Sequence, residues 1–223
     1  MEPIEIERIA CGTGNCFIVS QGGSAILVDT AGNLHRKKVL KQCQAKNIRL
    51  IVLTHGHYDH AQNAAWLAKE LNVPIAMHPA DLPLLSDMLP EPMYGIDWIS
   101  HLLIGTLKLS RRPGLRWLSF VLNTRTPPFE PAVALSDGFS LAEYGVDATV
   151  IELPGHTRGS VGIVAGDGLL AGDALTNLFA PSKAALWVDK DAMEQSAEKA
   201  SAYGTGVTVH FGHGKSVANK EHW

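Results

Sequence analysis

Long apolar runs are missing from this sequence: no segment approaches the roughly 20 consecutive apolar residues needed to cross a bilayer. The longest apolar patch, Trp98 to Leu109, is interrupted by His101 and Lys108. Cysteine is scarce. Cys11, Cys16 and Cys43 form an odd set without Cys-x-x-Cys spacing, which argues against a disulfide framework and for reduced thiols. Charge excess is small as well, with 19 basic against 22 acidic residues and a net charge of −3, so nucleic acid is not an expected partner. The opening Met1-Glu2-Pro3-Ile4-Glu5 has neither the basic start nor the apolar core of a signal peptide, and a cytoplasmic protein is expected.

What is present is an ordinary globular composition, 46% apolar and 18% charged over 223 residues, enough chain to bury a substantial core. Ile4, Ile6 and Ile9 open a strand. Asn15–Ser20 and Ala25–Asp29 flank Gln21-Gly22-Gly23-Ser24 as a hairpin. A helix is predicted over Arg36–Lys46, a strand over Leu50–Leu53, a helix over Ala61–Leu71 and a strand over Val73–His78. This alternation predicts a layered α/β domain whose apolar strands are covered on both faces.

From about 84 to 131 the character changes to Leu, Met, Ile and Trp mixed with Arg111, Arg112, Arg116, Arg125 and frequent prolines. That length is too great for a plain loop and predicts an insertion built of short helices, within one domain spanning 1–223. Strands then resume at Ala132–Leu135, Ala148–Leu153, Ser160–Ala165, Leu169–Ala171 and Gly206–Phe211, with a helix over Asp191–Ala202. The polar tail Lys215–Trp223 reads as frayed. Two similar α/β halves packed face to face would account for the pattern.

The strongest signal is Thr54-His55-Gly56-His57-Tyr58-Asp59-His60, a strand-to-helix turn carrying three histidines and a carboxylate. Three later turns, Gly155-His156-Thr157, Gly172-Asp173-Ala174 and Gly212-His213-Gly214, each put a His or Asp beside a glycine at a strand end. Neutral imidazole and carboxylate oxygen are zinc donors, and a pair of zinc ions needs about this many.

These turns resemble the metallo-β-lactamase-fold superfamily, over nearly the whole chain from the Asn15–Asp29 hairpin to Gly214, with 84–131 outside the likeness. The resemblance implies a four-layer αβ/βα sandwich of two packed mixed sheets. It implies one metal held by His55, His57 and His156, a second by Asp59, His60 and His213, and Asp173 bridging both. Asp29 resembles a family position that orients a ligand imidazole from behind. An Asp at 173 is similar to glyoxalase II-like hydrolases, lactonases and tRNA-processing nucleases, and unlike the classical β-lactamases, which have a Cys. His57 in place of a Glu departs from the di-iron oxygen reductases.

The implied function is that of a dinuclear-metal hydrolase, using a metal-bridging hydroxide on a small ester-like substrate, a thioester or a lactone. Asp59 is the natural proton acceptor and later donor. The chain ends soon after His213, without the helical domain that helps glyoxalase II bind glutathione, which turns the expectation away from glutathione thioesters. On the same ligands a phosphodiesterase or nuclease, approached past the four arginines of the insertion, and an iron-dependent persulfide dioxygenase are the alternatives. Two Zn²⁺ are expected, with iron or manganese suited to the same donors.

Tyr58 offers either a hydroxyl to the substrate or a ring at the rim. Arg158 is equally a substrate-anion contact or a surface residue. Among the other histidines, His78 and His210 read as structural, His35 and His222 as exposed, and His101 as a core residue of the insertion. The insertion itself reads first as a lid walled by Trp98, Leu102, Leu103, Trp117 and Phe120, then as a homodimer surface, then as an interfacial membrane segment.

Overall fold

The computed structural model describes residues 2–87, 92–95, 98–110 and 125–223. Strands β1 (Glu5–Cys11) and β2 (Gly14–Gln21) pair antiparallel, and β2 turns into β3 (Ser24–Val28) through Gly22-Gly23. Both glycines have positive φ, 56° and 79°, the backbone that a two-residue hairpin loop demands. Helix α1 (Arg36–Cys43) leads to β4 (Ile48–Val52), and helices α2 (Tyr58–Ala61) and α3 (Ala64–Leu71) lead to β5 (Ile75–Met77). Both of these strands add in parallel. Helix α4 (Leu82–Ser86), strand β6 (Tyr94–Gly95) and helix α5 (Trp98–Ser110) follow, and β7 (Val133–Ala134) closes the first sheet in the order β1-β2-β3-β4-β5-β7.

The second sheet is built from β8 (Ala148–Glu152), β9 (Val161–Ala165) and β10 (Gly168–Gly172). Short strands β11 (Leu175–Thr176), β12 (Ser182–Lys183) and β13 (Leu186–Trp187) precede helix α6 (Lys190–Ser201). Then β14 (Thr208–Phe211) and β15 (Val217–Ala218) complete the order β15-β14-β10-β9-β8.

Strand alternation explains the layering, because successive side chains of a strand point to opposite faces. In β2 and β3, Phe17, Val19, Ile26 and Val28 face the second sheet's Val150, Val161, Ile163 and Leu170. Their neighbours Ile18 and Leu27 face the helical layer with Val39, Cys43 and Leu67. On the far side Leu153, Leu169 and Phe211 pack against Ala197 and Ala200 of α6. Helix, sheet, sheet and helix therefore form an αβ/βα sandwich. Each fully buried Leu, Ile or Val contributes about 1.5–3 kcal/mol, so the apolar faces of strands and helices together drive this stacking.

Several expectations need correction. The helix expected over Ala61–Leu71 is two helices, because Asn63 Nδ2 turns away to donate to the carbonyls of Thr30, Ala31 and Gly32 at 2.8, 2.8 and 3.0 Å. The tail is not frayed: β15 pairs with β14, Asn219 Nδ2 donates to Ala200 O at 2.8 Å, and the Trp223 ring meets Phe211 edge-on at 5.8 Å. His101 is exposed rather than a core residue. The strand expected over Ala132–Leu135 shrinks to its two central residues.

The insertion contains the expected helix, α5, and is stitched to the second half of the fold. β6 pairs antiparallel with β13, and Met93 and Ile104 are buried with Leu186 and Val188 packed against them. At its other end, Gln62 Nε2 donates to Arg125 O at 2.8 Å. The Trp98 and Leu103 side chains, and residues 111–124 with Arg111, Arg112, Arg116, Trp117 and Phe120, lie outside the described residues. No helix among the described residues is long and apolar enough to cross a membrane.

Candidate metal centre

Four strands end at one place. The 54–60 turn follows β4, His156 follows β8, Asp173 follows β10 and His213 follows β14, so both sheets deliver side chains to the same rim. The structure brings all seven expected donors together in three overlapping groups: His55, His57 and His156; His55, His60 and Asp173; and Asp59, His60 and His213. Within each group the donor atoms lie within 4.8 Å of one another. His57 Nδ1 is 2.9 Å from His156 Nε2, and His60 Nε2 is 3.4 Å from His213 Nε2. The Asp173 carboxylate stands between the sets, with Oδ2 at 3.7 Å from His156 Nε2 and 3.2 Å from His213 Nε2. Gly212 permits this convergence, since a Cβ there would stand 2.2 Å from Asp173 Oδ1.

The imidazoles are aimed from behind. His60 Nδ1 donates to Asp29 Oδ2 at 2.9 Å, His156 Nδ1 to Leu186 O at 2.8 Å, and His213 Nδ1 to Thr13 O at 3.1 Å. Thr54 Oγ1 donates to the Asp29 carboxylate and stands 3.2 Å from His55 Nδ1, whose proton it can accept. A proton fixed on Nδ1 leaves the Nε2 lone pair facing the centre. His55 Nε2 is buried and has no hydrogen-bond partner among the described residues. A buried polar atom left alone is costly, and a lone pair so placed fits a cation.

The electrostatics agree with that fit. Burial, with the neighbouring His156, pushes the His57 imidazole down to about 3, and burial drives His55 down likewise. Both are therefore neutral, the ligating form. Burial opposes charge on Asp59, yet its contact with His213 and the fields of His60 and His213 bring it down to about 2. Burial also opposes charge on Asp173, and His213 and His60 hold it well below the usual carboxylate range all the same. In return the Asp173 carboxylate draws His213 up to about 10. Two carboxylates thus call for positive charge where the rings converge, and a divalent cation meets that call.

Of the other expected residues, Asp29 sits behind His60 as described. Tyr58 is half-buried in the first turn of α2, its hydroxyl pushed up to about 12 by burial and by Asp59. Arg158 is exposed, and neither it nor Tyr58 is among the clustered donors. His78 is structural: Nδ1 accepts from Ala80 N, and Nε2 stands 3.2 Å from Glu152 Oε1. His210 bonds Ser216 Oγ at 2.8 Å and packs on Phe17. His222 is exposed and His35 half-buried.

Three residues of the site escaped the sequence reading. Asn15 is buried, and its Nδ2 donates to Phe211 O and Gly214 O at 2.9 and 2.8 Å, clasping the His213 turn. Asn63 shapes the loop after Asp29. Asp81 joins two of the ligand turns; in His78-Pro79-Ala80-Asp81 it looks like an ordinary polar residue at a helix start, so no local signal marks it.

A four-layer sandwich with clustered His and Asp donors at the ends of its strands defines a class of metal-site α/β proteins. The chain belongs to the metallo-beta-lactamase superfamily, whose sequence model matches residues 9–213. An uncharacterized protein of Mycobacterium bovis is 28% identical over 158 residues, 69% of this chain and 59% of that protein. The chain thus spans about three fifths of that relative's length. The hydroxyacylglutathione hydrolase GloC of Haemophilus influenzae is 26% identical over 162 residues, 72% of this chain and 65% of GloC. Among solved structures, TTHA1623 in a di-iron-bound form superposes with a TM-score of 0.66 at 23% identity, covering 96% of this chain and 94% of its own. That likeness is one of fold.

Proposed function

We propose that this chain is a dinuclear-metal hydrolase acting on a small ester-like substrate, a thioester or a lactone. The observation that carries the proposal is the convergence of His55, His57 and His156 on one side and Asp59, His60 and His213 on the other, with the Asp173 carboxylate in reach of both. These residues would hold the metals in those two sets, with Asp173 shared. Bound there, a pair of divalent cations would supply an activated water and a Lewis acid for the substrate carbonyl.

The chain's own groups do the rest. Asp59 is ionised at neutral pH, and its side chain is 34% exposed. Its Oδ2 is the proposed acceptor of the attacking water's proton and the later donor to the leaving oxygen or sulfur. His156 is held by the carbonyl of Leu186, in the strand on which the insertion's Met93 and Ile104 pack. That attachment supports reading the described part of the insertion, around Met93 and Ile104, as an apolar wall of the substrate pocket within one domain. Tyr58, beside Asp59, and Arg158, two residues past His156, are the proposed substrate contacts.

The name of GloC, a hydroxyacylglutathione hydrolase, supports the thioester half of the proposal. The di-iron form of TTHA1623 keeps iron beside zinc as the metal, with manganese suited to the same donors. Metal analysis of protein purified without added metal, followed by assay on a panel of acyl thioesters and lactones, tests the reading. Chelator-sensitive turnover of one class is expected. Metal-loaded protein that turns over neither class would sink it.

A further inference from the structure

Asp81 belongs to neither proposed ligand set, yet it is 1% exposed and its two oxygens divide between two ligand turns. Oδ2 accepts from Gly56 N at 3.0 Å and from Thr157 Oγ1 at 2.7 Å, and Oδ1 accepts from Gly159 N at 2.6 Å. Gly56 lies between His55 and His57, in the turn after β4 of the first sheet. Thr157 and Gly159 follow His156, in the turn after β8 of the second. The approach is close on the second side: a Cβ at Gly159 would stand 2.8 Å from Asp81 Oδ1. An ionised carboxylate is all acceptor, so it can satisfy backbone and hydroxyl donors from both turns at once.

We infer that Asp81 is a positioning residue, a carboxylate clamp across the two sheets that sets His55 and His57 against His156. The inference rests on the dinuclear reading above. The other ligand set has anchors of its own, since Asp29 Oδ2 holds His60 and Thr13 O holds His213. Asparagine at 81 keeps the shape but offers one acceptor oxygen and an NH₂. That NH₂ must face a backbone donor of one turn, and the two turns lose their common hold.

Titration of metal-free protein with Co²⁺, followed by visible absorption, separates the possibilities. Two binding steps are expected in the parent. Asp81→Asn should weaken one step by about 10–100-fold, the range for partners behind metal ligands, and leave the other in place. Thr157→Val removes a single donor to Oδ2 and should shift the same step by less; if Asp81→Asn does not fold, this variant decides. A merely structural role would lower both steps together with the unfolding midpoint of the metal-free protein, and would overturn the inference. Two parent-like steps in both variants would overturn the inference and leave the dinuclear reading standing. A parent that takes up no cobalt would overturn both.

Discussion

Replacing Asp29 by asparagine exchanges one oxygen for an NH₂ in a residue that is 1% exposed, and the consequence can be followed atom by atom. Asp29 has φ 61°, a left-handed backbone that asparagine adopts as readily as aspartate, so the main chain is left undisturbed. Its Oδ1 accepts from Thr54 N at 2.8 Å and its Oδ2 from His60 Nδ1 at 2.9 Å. A backbone N–H can only donate, so the remaining oxygen stays with Thr54 and the amide nitrogen turns to His60. Nδ1 must then accept, and its proton moves to Nε2. That nitrogen stands 3.4 Å from His213 Nε2 and 3.5 Å from Asp173 Oδ1, at the proposed metal. A protonated Nε2 has no lone pair to give.

Restoring the ligating tautomer would leave two buried donors face to face, at a cost of about 1–3 kcal/mol. At about 1.4 kcal/mol per tenfold this is roughly 5–150-fold in metal affinity. Competition against a chromogenic chelator measures it, and urea unfolding of the metal-free protein controls for folding. Asp29→Ala should in addition lower the urea midpoint of the metal-free protein, because alanine in a left-handed backbone adds about 1–2 kcal/mol of strain to the folded state. An Asp29→Asn protein that holds metal as tightly as the parent would refute the tautomer argument.

Three further outcomes are expected. Gly212→Ala places a methyl 2.2 Å from Asp173 Oδ1 and 2.7 Å from His60 Cε1, so metal affinity should fall at least about tenfold, read by the same competition. Removing the metal, or making His57→Ala, should abolish turnover in the substrate panel; zinc or iron should restore the stripped parent, whereas the variant should stay inactive. Trp223→Ala should lower stability by about 1–3 kcal/mol in urea unfolding, since it removes the edge contact with Phe211 and the Nε1 bond to Asn219 Oδ1 at 2.7 Å. An unchanged midpoint would show that the tail contributes nothing.

How much of this was legible depends on how local each cause is. The hairpin at Gly22-Gly23 rests on two neighbouring residues, and a two-residue loop of positive φ can be read from them directly. The 54–60 turn is likewise local, its donors closely spaced between an apolar run and a helix start. Each later turn shows one His or Asp beside a glycine at a strand end. The layering follows from near-continuous apolar strands alternating with helices, the pattern of a sheet covered on both faces.

What the residue order could not display is contact between distant positions. Asp81 is a polar residue near a proline until the fold brings Thr157, 76 positions away, to its carboxylate. Asn63 lies inside a helical pattern until three carbonyls of the loop after Asp29 claim its amide. The tail is polar by composition, yet Phe211 and β14 give it a surface to pack on. The insertion's attachment through β6 and β13 rests on a pairing of two residues with two, too short for any periodicity. Donor types and the turns that carry them are therefore properties of sequence, because local backbone chemistry specifies them. Their convergence, and the carboxylates and amides that aim them, belong to the tertiary structure, because only packing two sheets together brings those atoms within hydrogen-bonding distance.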